Sequence, residues 1–106
     1  AIRILTPVTQ QLGMTYVLLG DAKSGGADYQ GAVDSYLKAQ AEWPDPNNFM
    51  KIANIYDEKL KDGVNAIRYY QMYLDNLKNL KITVGAQYLE AVQKRLGFLK
   101  KSSQNL

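Results

Sequence analysis

The chain has no cysteine and no histidine. Without cysteine there can be no disulfide, no thiolate nucleophile and no sulfur ligand for zinc, although this absence assigns no compartment. Without histidine the commonest general base and the commonest transition-metal ligand are missing, so a serine or cysteine triad cannot be assembled. No enzyme activity, catalytic residue, metal, cofactor or small-molecule substrate is therefore expected. Long apolar runs are also absent: the best one, Met14 to Leu19, is closed by Gly13 and Gly20. That is far short of the roughly 18 residues a membrane helix needs, so no membrane span is expected.

Charge of one sign is scarce too. Lys+Arg 13 against Asp+Glu 10 gives a net charge of +3, interspersed up to a basic end at Lys94, Arg95, Lys100 and Lys101. Four positive charges without interleaved aromatic rings are a poor footprint for nucleic acid, and the simpler account is a solvated helix end complementing the macrodipole. The glycines between Gly20 and Gly26 follow no strand and precede no lysine-serine or lysine-threonine pair, so they read as a turn and not as a phosphate loop. Asp57 and Glu58 are adjacent and point about 100° apart on a helix, an arrangement that suits solvated residues better than shared acid-base work.

What is present is a chain that should fold. Hydrophobic residues make up 46% and charged residues 22% of 106 residues, enough for one domain with one core. The first residue is Ala1, and no signal-peptide core precedes the first helical pattern, so we expect a processed or excised piece of a longer chain. Residues 1–6, with a β-like Ile2-Arg3-Ile4-Leu5, read as the end of a preceding segment.

Apolar residues recurring at three- and four-residue steps predict five helices. The first opens on Thr6 as N-cap with Pro7 at the first helical position, buries Val8, Leu12, Tyr16 and Leu19, and ends at Gly20. A loop over 21–26 leads to a second helix after Asp28, burying Tyr29, Ala32, Val33, Tyr36, Leu37 and Ala41 and halted by Pro44 and Pro46. Asp45 caps a third, with Pro46 in its first turn and Phe49, Ile52, Ala53, Tyr56 and Leu60 on its face. Asp62 and Gly63 break it. The fourth carries Val64, Ile67, Tyr70, Leu74 and Leu77, with Tyr69 and Tyr73 beside them. The fifth, about 83–101, aligns Tyr88, Leu89, Val92, Leu96 and Leu99, and the tail 102–106 is expected to fray. Tyr56 and Tyr70 are expected in the core. Tyr69 and Tyr73 fit either core or surface, and Trp43 fits a helix-end cover better than an exposed anchor.

The chain repeats itself. Asp28, Tyr29, Ala32, Val33 and Tyr36 correspond to Asp62, Gly63, Ala66, Ile67 and Tyr70, each pair 34 positions apart. Within the helix pairs, Leu12-Gly13 with Tyr16, then Ala32, Tyr36 and Pro44, followed by Phe49, Ile52-Ala53 and Tyr56, then Ala66 and Tyr70, resemble the tetratricopeptide pattern W-x-x-L-G-x-x-Y, A-x-x-x-F, P. Thr9 stands at the tryptophan position, Lys78 at the second proline, and Tyr73 where the family prefers a small residue. The resemblance implies an all-α fold of antiparallel helix-hairpin repeats: two tetratricopeptide-like pairs, about 7–44 and 45–79, plus a C-terminal capping helix, about 83–101. Together these would form an α-solenoid fragment over 7–101. Val84-Gly85 with Tyr88 could equally open a third repeat.

Members of that family generally hold a peptide or protein partner in a concave groove, so the resemblance implies a protein-binding adaptor. Its groove positions fall here on Gln10, Met14, Val17, Met50, Asn54 and Asp57. Met14 and Met50 would form an adaptable floor, and Gln10 and Asn54 would bond a peptide backbone. The lysine and asparagine set that grips chaperone tails is missing, since Gln10, Met14 and Lys51 stand in its places. The alternative is a structural or oligomerisation role, stacking on neighbouring domains or on a second copy through apolar ends such as Ile2, Ile4 and Leu5.

Overall fold

The computed structural model describes residues 7–104, and all regular structure among them is helical: α1 (Val8–Gly25), α2 (Tyr29–Glu42), α3 (Pro46–Asn54), α4 (Gly63–Asn79) and α5 (Ala86–Gln104). A π-helical turn, Ile55–Lys59, continues α3. The expected cap at Thr6 and the apolar residues Ile2, Ile4 and Leu5 lie outside the described residues. No helix among those described is long and apolar enough to cross a membrane. The chain divides into two compact units, residues 1–48 and 49–106.

Helix starts follow local chemistry. The Asp28 carboxylate accepts from the Gly31 amide at 3.1 Å, and Asp62 accepts from the Asn65 amide at 3.1 Å, so each satisfies an amide that the first helical turn leaves unbonded. Asp45 accepts from the Asn47 amide at 2.9 Å, with Pro46 behind it as the first helical residue. At the first helix the register differs by one: Pro7 is itself the cap, with extended backbone (φ −55°, ψ 144°), and Val8 is the first helical residue.

Helix ends depart further from the sequence reading. α1 does not stop at Gly20 but runs to Gly25, so most of the expected 21–26 loop is helix. The residue that turns the chain is Ala27, at φ 64°, with the Asp28 amide bonded to Lys23 O and the Ala27 amide to Ser24 O. This is the Schellman closure, built on alanine where glycine is usual. α4 closes in the same way on Lys81, at φ 55°, with Ile82 bonded to Leu77 O and Lys81 to Lys78 O. After the π turn the left-handed residue is Lys61 (φ 53°), and the closing bond, from the Asp62 amide to Tyr56 O, spans one residue more, as a widened turn requires.

In the first unit α1 packs on α2 through its glycines. The expected face is not the buried one: Val8, Leu12 and Leu19 are exposed, while Gly13 and Gly20 are buried. A Cβ on Gly13 would stand 2.6 Å from Trp43 Cβ, and one on Gly20 would stand 2.6 Å from the Tyr36 ring. The two backbones therefore meet where side chains are missing, and the Tyr36 ring lies across α1 with its hydroxyl donating to Asp21 at 2.5 Å. On α2 the residues Ala32, Val33, Tyr36 and Ala39 are buried, whereas Leu37 and Ala41 are exposed.

The second unit has a side-chain core. Phe49, Met50 and Ala53 of α3, Ala66, Tyr70, Tyr73 and Leu77 of α4, and Val92 and Leu96 of α5 form one buried cluster. Ala53 and Ala66 have no exposed surface, and Tyr73, which fitted core or surface by sequence, is core at 1% exposed. Burying a side chain of that size contributes about 2–3 kcal/mol. Tyr69 is half-buried and stacks on Tyr56 at a centroid distance of 5.7 Å. Val64 is exposed and Ile67 and Leu74 are only half-buried, so the fully buried stripe of α4 is Ala66, Tyr70, Tyr73 and Leu77. α5 begins at Ala86 and runs to Gln104, so Ser102 and Ser103 of the expected tail are helical, while residues 105–106 are outside the described range.

Burial and a hydrogen bond to a carboxylate push the Tyr36 and Tyr70 phenols well above the ordinary tyrosine range. A phenol held neutral stabilises the fold up to its unfolded pKa near 10 and loses that contribution as pH rises further. Both are expected to ionise late. Alkaline titration followed by tyrosinate absorbance should show late-ionising phenols, one of which is lost in Tyr36→Phe and one in Tyr70→Phe. A single transition near pH 10 for the whole set would contradict this.

Candidate functional site

Each unit has a small cleft beside its first helix, and each holds two of the expected groove residues. In the first unit Met14, Val17 and Leu18 of α1 face Trp43, with Asp45 and Asn48 at the rim, around a volume of about 270 Å³. Gly13 forms the back, where Trp43 Cβ sits against it. Met14 is 56% exposed, an unpaired apolar side chain at the mouth. The rim is ordered by Gln40, whose side-chain oxygen accepts from the Asp45 amide and from Asn48 Nδ2, both at 2.9 Å. Gln10, also an expected groove residue, is half-buried on α1 and does not line this cleft.

The cleft of the second unit is smaller, about 180 Å³, and is lined by Met50 and Asn54 of α3, Tyr70 of α4, and Tyr88, Val92 and Arg95 of α5. Met50 forms a buried floor. The Tyr70 hydroxyl lies 3.1 Å from the Asn54 side-chain oxygen, but its one proton goes mainly to the nearer Asp57 carboxylate, so Asn54 keeps both acceptor and donor capacity.

Asp57 lies beneath this cleft. It is 8% exposed, and not the solvated residue its position beside Glu58 suggested. Arg95 reaches it through Nε at 2.8 Å and Nη2 at 2.5 Å, and the Tyr70 hydroxyl donates to the same carboxylate at 2.9 Å. The Arg95 guanidinium holds the Asp57 carboxyl below the usual carboxylate range, against the opposing effect of burial, and Tyr70 adds to the lowering. Both Asp57 oxygens are thus engaged inside the unit. Asp57 sits in the π turn, a rare geometry that is frequent at functional sites.

Arg95 is the residue missed by sequence reasoning, which grouped it with the basic end. The signal was its place three residues after Val92 and beside Leu96, at the edge of the buried stripe of α5, although the residue itself is exposed. Its outer face packs on Phe98, 5.1 Å from the ring centre. A third and larger hollow, about 620 Å³, lies between the end of α4, the connection through Val84 and Leu89 of α5, and it contains none of the expected residues. Among the described residues no group of three or more acidic side chains gathers as a metal would need.

No family model, curated protein or solved structure matches this chain. Its function has to follow from the clefts themselves and from what the two units share. Both have a left-handed non-glycine residue (Ala27, Lys61), an aspartate cap (Asp28, Asp62), a fully buried alanine (Ala32, Ala66) and a tyrosine whose hydroxyl donates to an aspartate of the preceding helical segment (Tyr36, Tyr70). Every one of these pairs is 34 residues apart.

Proposed function

We propose that the chain is a binding module of the tetratricopeptide type, a fragment of an α-solenoid that holds a segment of a protein partner and performs no reaction. The observation that carries this reading is the 34-residue recurrence of turn, cap, buried alanine and bonded tyrosine, since chains with that period build repeated helical hairpins. A module of this kind acts through the exposed side of the first helix in each pair, and each cleft is lined by residues of that helix in its own unit.

The partner chemistry follows from the better-formed cleft. Met14, Val17, Leu18 and Trp43 offer an apolar pocket for one bulky side chain, and Asp45 at the rim favours a basic or amide-bearing neighbour. The Asn54 side-chain amide in the second cleft, both donor and acceptor, suits a peptide backbone group. Gln10 is assigned to the α1 approach of the first cleft, and Asp57 supports the second from below by fixing Arg95.

Selection of peptides from a random displayed library against the purified chain tests this. The expected result is convergence on a bulky apolar residue next to lysine or arginine. Binding should weaken about tenfold or more in Met14→Glu, a loss of about 1.4 kcal/mol, and be unchanged in Leu80→Glu, a substitution at an exposed residue outside both clefts. Failure to converge, or peptides that bind Met14→Glu as tightly as the parent, would sink the reading.

A further inference from the structure

The hollow of about 620 Å³ in the second unit shares no residue with either cleft. It forms because the chain leaves α4 at an angle: Lys81, left-handed at φ 55°, turns it, and the connection from Ile82 to Gly85 then crosses to the start of α5 at Ala86. Three elements wall the space. Leu74 and Leu77 of α4, Ile82 and Val84 of the connection, and Leu89 of α5 make its lining apolar. Leu77 belongs to the core, and Leu74 and Val84 pack against it, so this floor is continuous with the packed interior.

The rim is cationic. Lys78 and Lys81 line the hollow, both are exposed, and among the described residues neither ammonium has an ion-pair partner. Asp75, the one acidic residue of the lining, accepts from Gln71 Nε2 at 3.0 Å. The oxygen of the same Gln71 amide accepts from Lys100 Nζ at 3.1 Å, which brings a third ammonium to the mouth. Other cations of this unit are answered, Lys94 by Glu90 at 3.0 Å and Arg95 by Asp57. The positive charge left over is therefore concentrated beside an apolar hollow.

That combination complements a molecule with an apolar body and one negative end. A wholly polar anion would leave the floor in water, and an uncharged apolar surface, an adjoining helical repeat included, would desolvate the lysines without answering their charge. Size narrows the class further. A helix ~10 Å across, rising ~1.5 Å per residue, needs roughly 120 Å³ per residue, so the hollow would take only about five residues of one. Pockets for small ligands run from about 300 to 1,000 Å³. We propose that this hollow binds a single-chain anionic amphiphile, an alkyl carboxylate whose chain lies on Leu74, Leu77 and Val84 and whose head meets Lys78 and Lys81. Lysine suits the task, since its ammonium is a compact charge on a flexible stem whose methylenes extend the apolar wall. The proposal is independent of the peptide-binding reading, which uses other residues.

Titration calorimetry of the full chain with sodium dodecanoate, kept below its micelle concentration, should show one saturable site with a Kd on the order of 100 μM. Dodecyltrimethylammonium, the same chain with the opposite head, should give no such site. Joint Lys78→Glu and Lys81→Glu should raise the Kd more than tenfold, while Lys38→Glu, on α2 of the other unit, should leave it unchanged. Lys78 and Lys81 are exposed, so circular dichroism of the double variant should match the parent. No saturable site for dodecanoate, equal binding of the cationic amphiphile, or full affinity in the double variant would overturn the proposal. So would tighter binding of an N- and C-blocked Leu-Glu peptide, which would assign the hollow to a protein segment, or capture of phosphatidylglycerol vesicles without binding of monomeric dodecanoate.

Discussion

Arg95→Met is expected to destabilise the second unit by about 2–3 kcal/mol at neutral pH. The substitution keeps much of the apolar stem and the contact with Phe98 but removes both bonds to Asp57, leaving a nearly buried carboxylate with the Tyr70 hydroxyl as its hydrogen-bond donor. A fully buried pair would cost more to break. Here the Arg95 side chain is 46% exposed, so part of its attraction is screened by water.

The effect has a pH signature. Because the folded Asp57 pKa lies below the unfolded value near 3.9, its contribution is complete above about pH 4 and is lost as pH falls through the folded pKa. Asp62, also lowered, by its bonds from Asn65, adds a slope in the same direction that parent and variant share. Urea unfolding at pH 7, 4 and 2.5 should therefore show the gap between parent and Arg95→Met narrowing at the acid end. A gap that stays constant would mean that Arg95 acts through packing alone. Hydrogen exchange should place the loss in α5, where Val92 and Leu96 are the buried residues among those described and the Asp57–Arg95 pair adds to the packing of Leu99.

Gly20→Leu should cost about 3 kcal/mol or more and unfold the α1–α2 hairpin first. Three atoms of the Tyr36 ring lie within 2.9 Å of where a Cβ would stand, and that ring cannot withdraw without giving up its bond to Asp21. The comparison residue is Gly97, in the interior of α5, where an added Cβ would meet nothing within 4 Å. There alanine removes backbone freedom from the unfolded chain without a clash, so Gly97→Ala should gain about 0.5–1 kcal/mol. Thermal unfolding of the two variants decides the matter: if Gly20→Leu is tolerated, α1 and α2 do not approach as closely as these distances require.

The pair of glycines also shows how far residue type informs. Leu12-Gly13 and Leu96-Gly97 read alike, yet Gly13 is a contact point between helices and Gly97 faces open space. The distinction rests on which residues of other helices arrive opposite, and no local pattern contains that.

Residue order was sufficient for the part governed by interactions within a few positions. Helical character followed from apolar spacing, the starts at Asp28, Asp45-Pro46 and Asp62 from side chains that reach amides two or three positions on, and the 34-residue recurrence from simple comparison. Packing settled which face of α1 is buried, because an apolar helix offers several faces and the close approach of α2 selected the one without side chains. It carried α1 past Gly20 to turn on Ala27, since the closing bonds reach back to Lys23 and Ser24 and leave Gly26 in an ordinary conformation. It also took Asp57 out of water: Arg95 stands 38 residues away, and only the folding of α5 onto the π turn brings a cation to a carboxylate that would otherwise have stayed solvated.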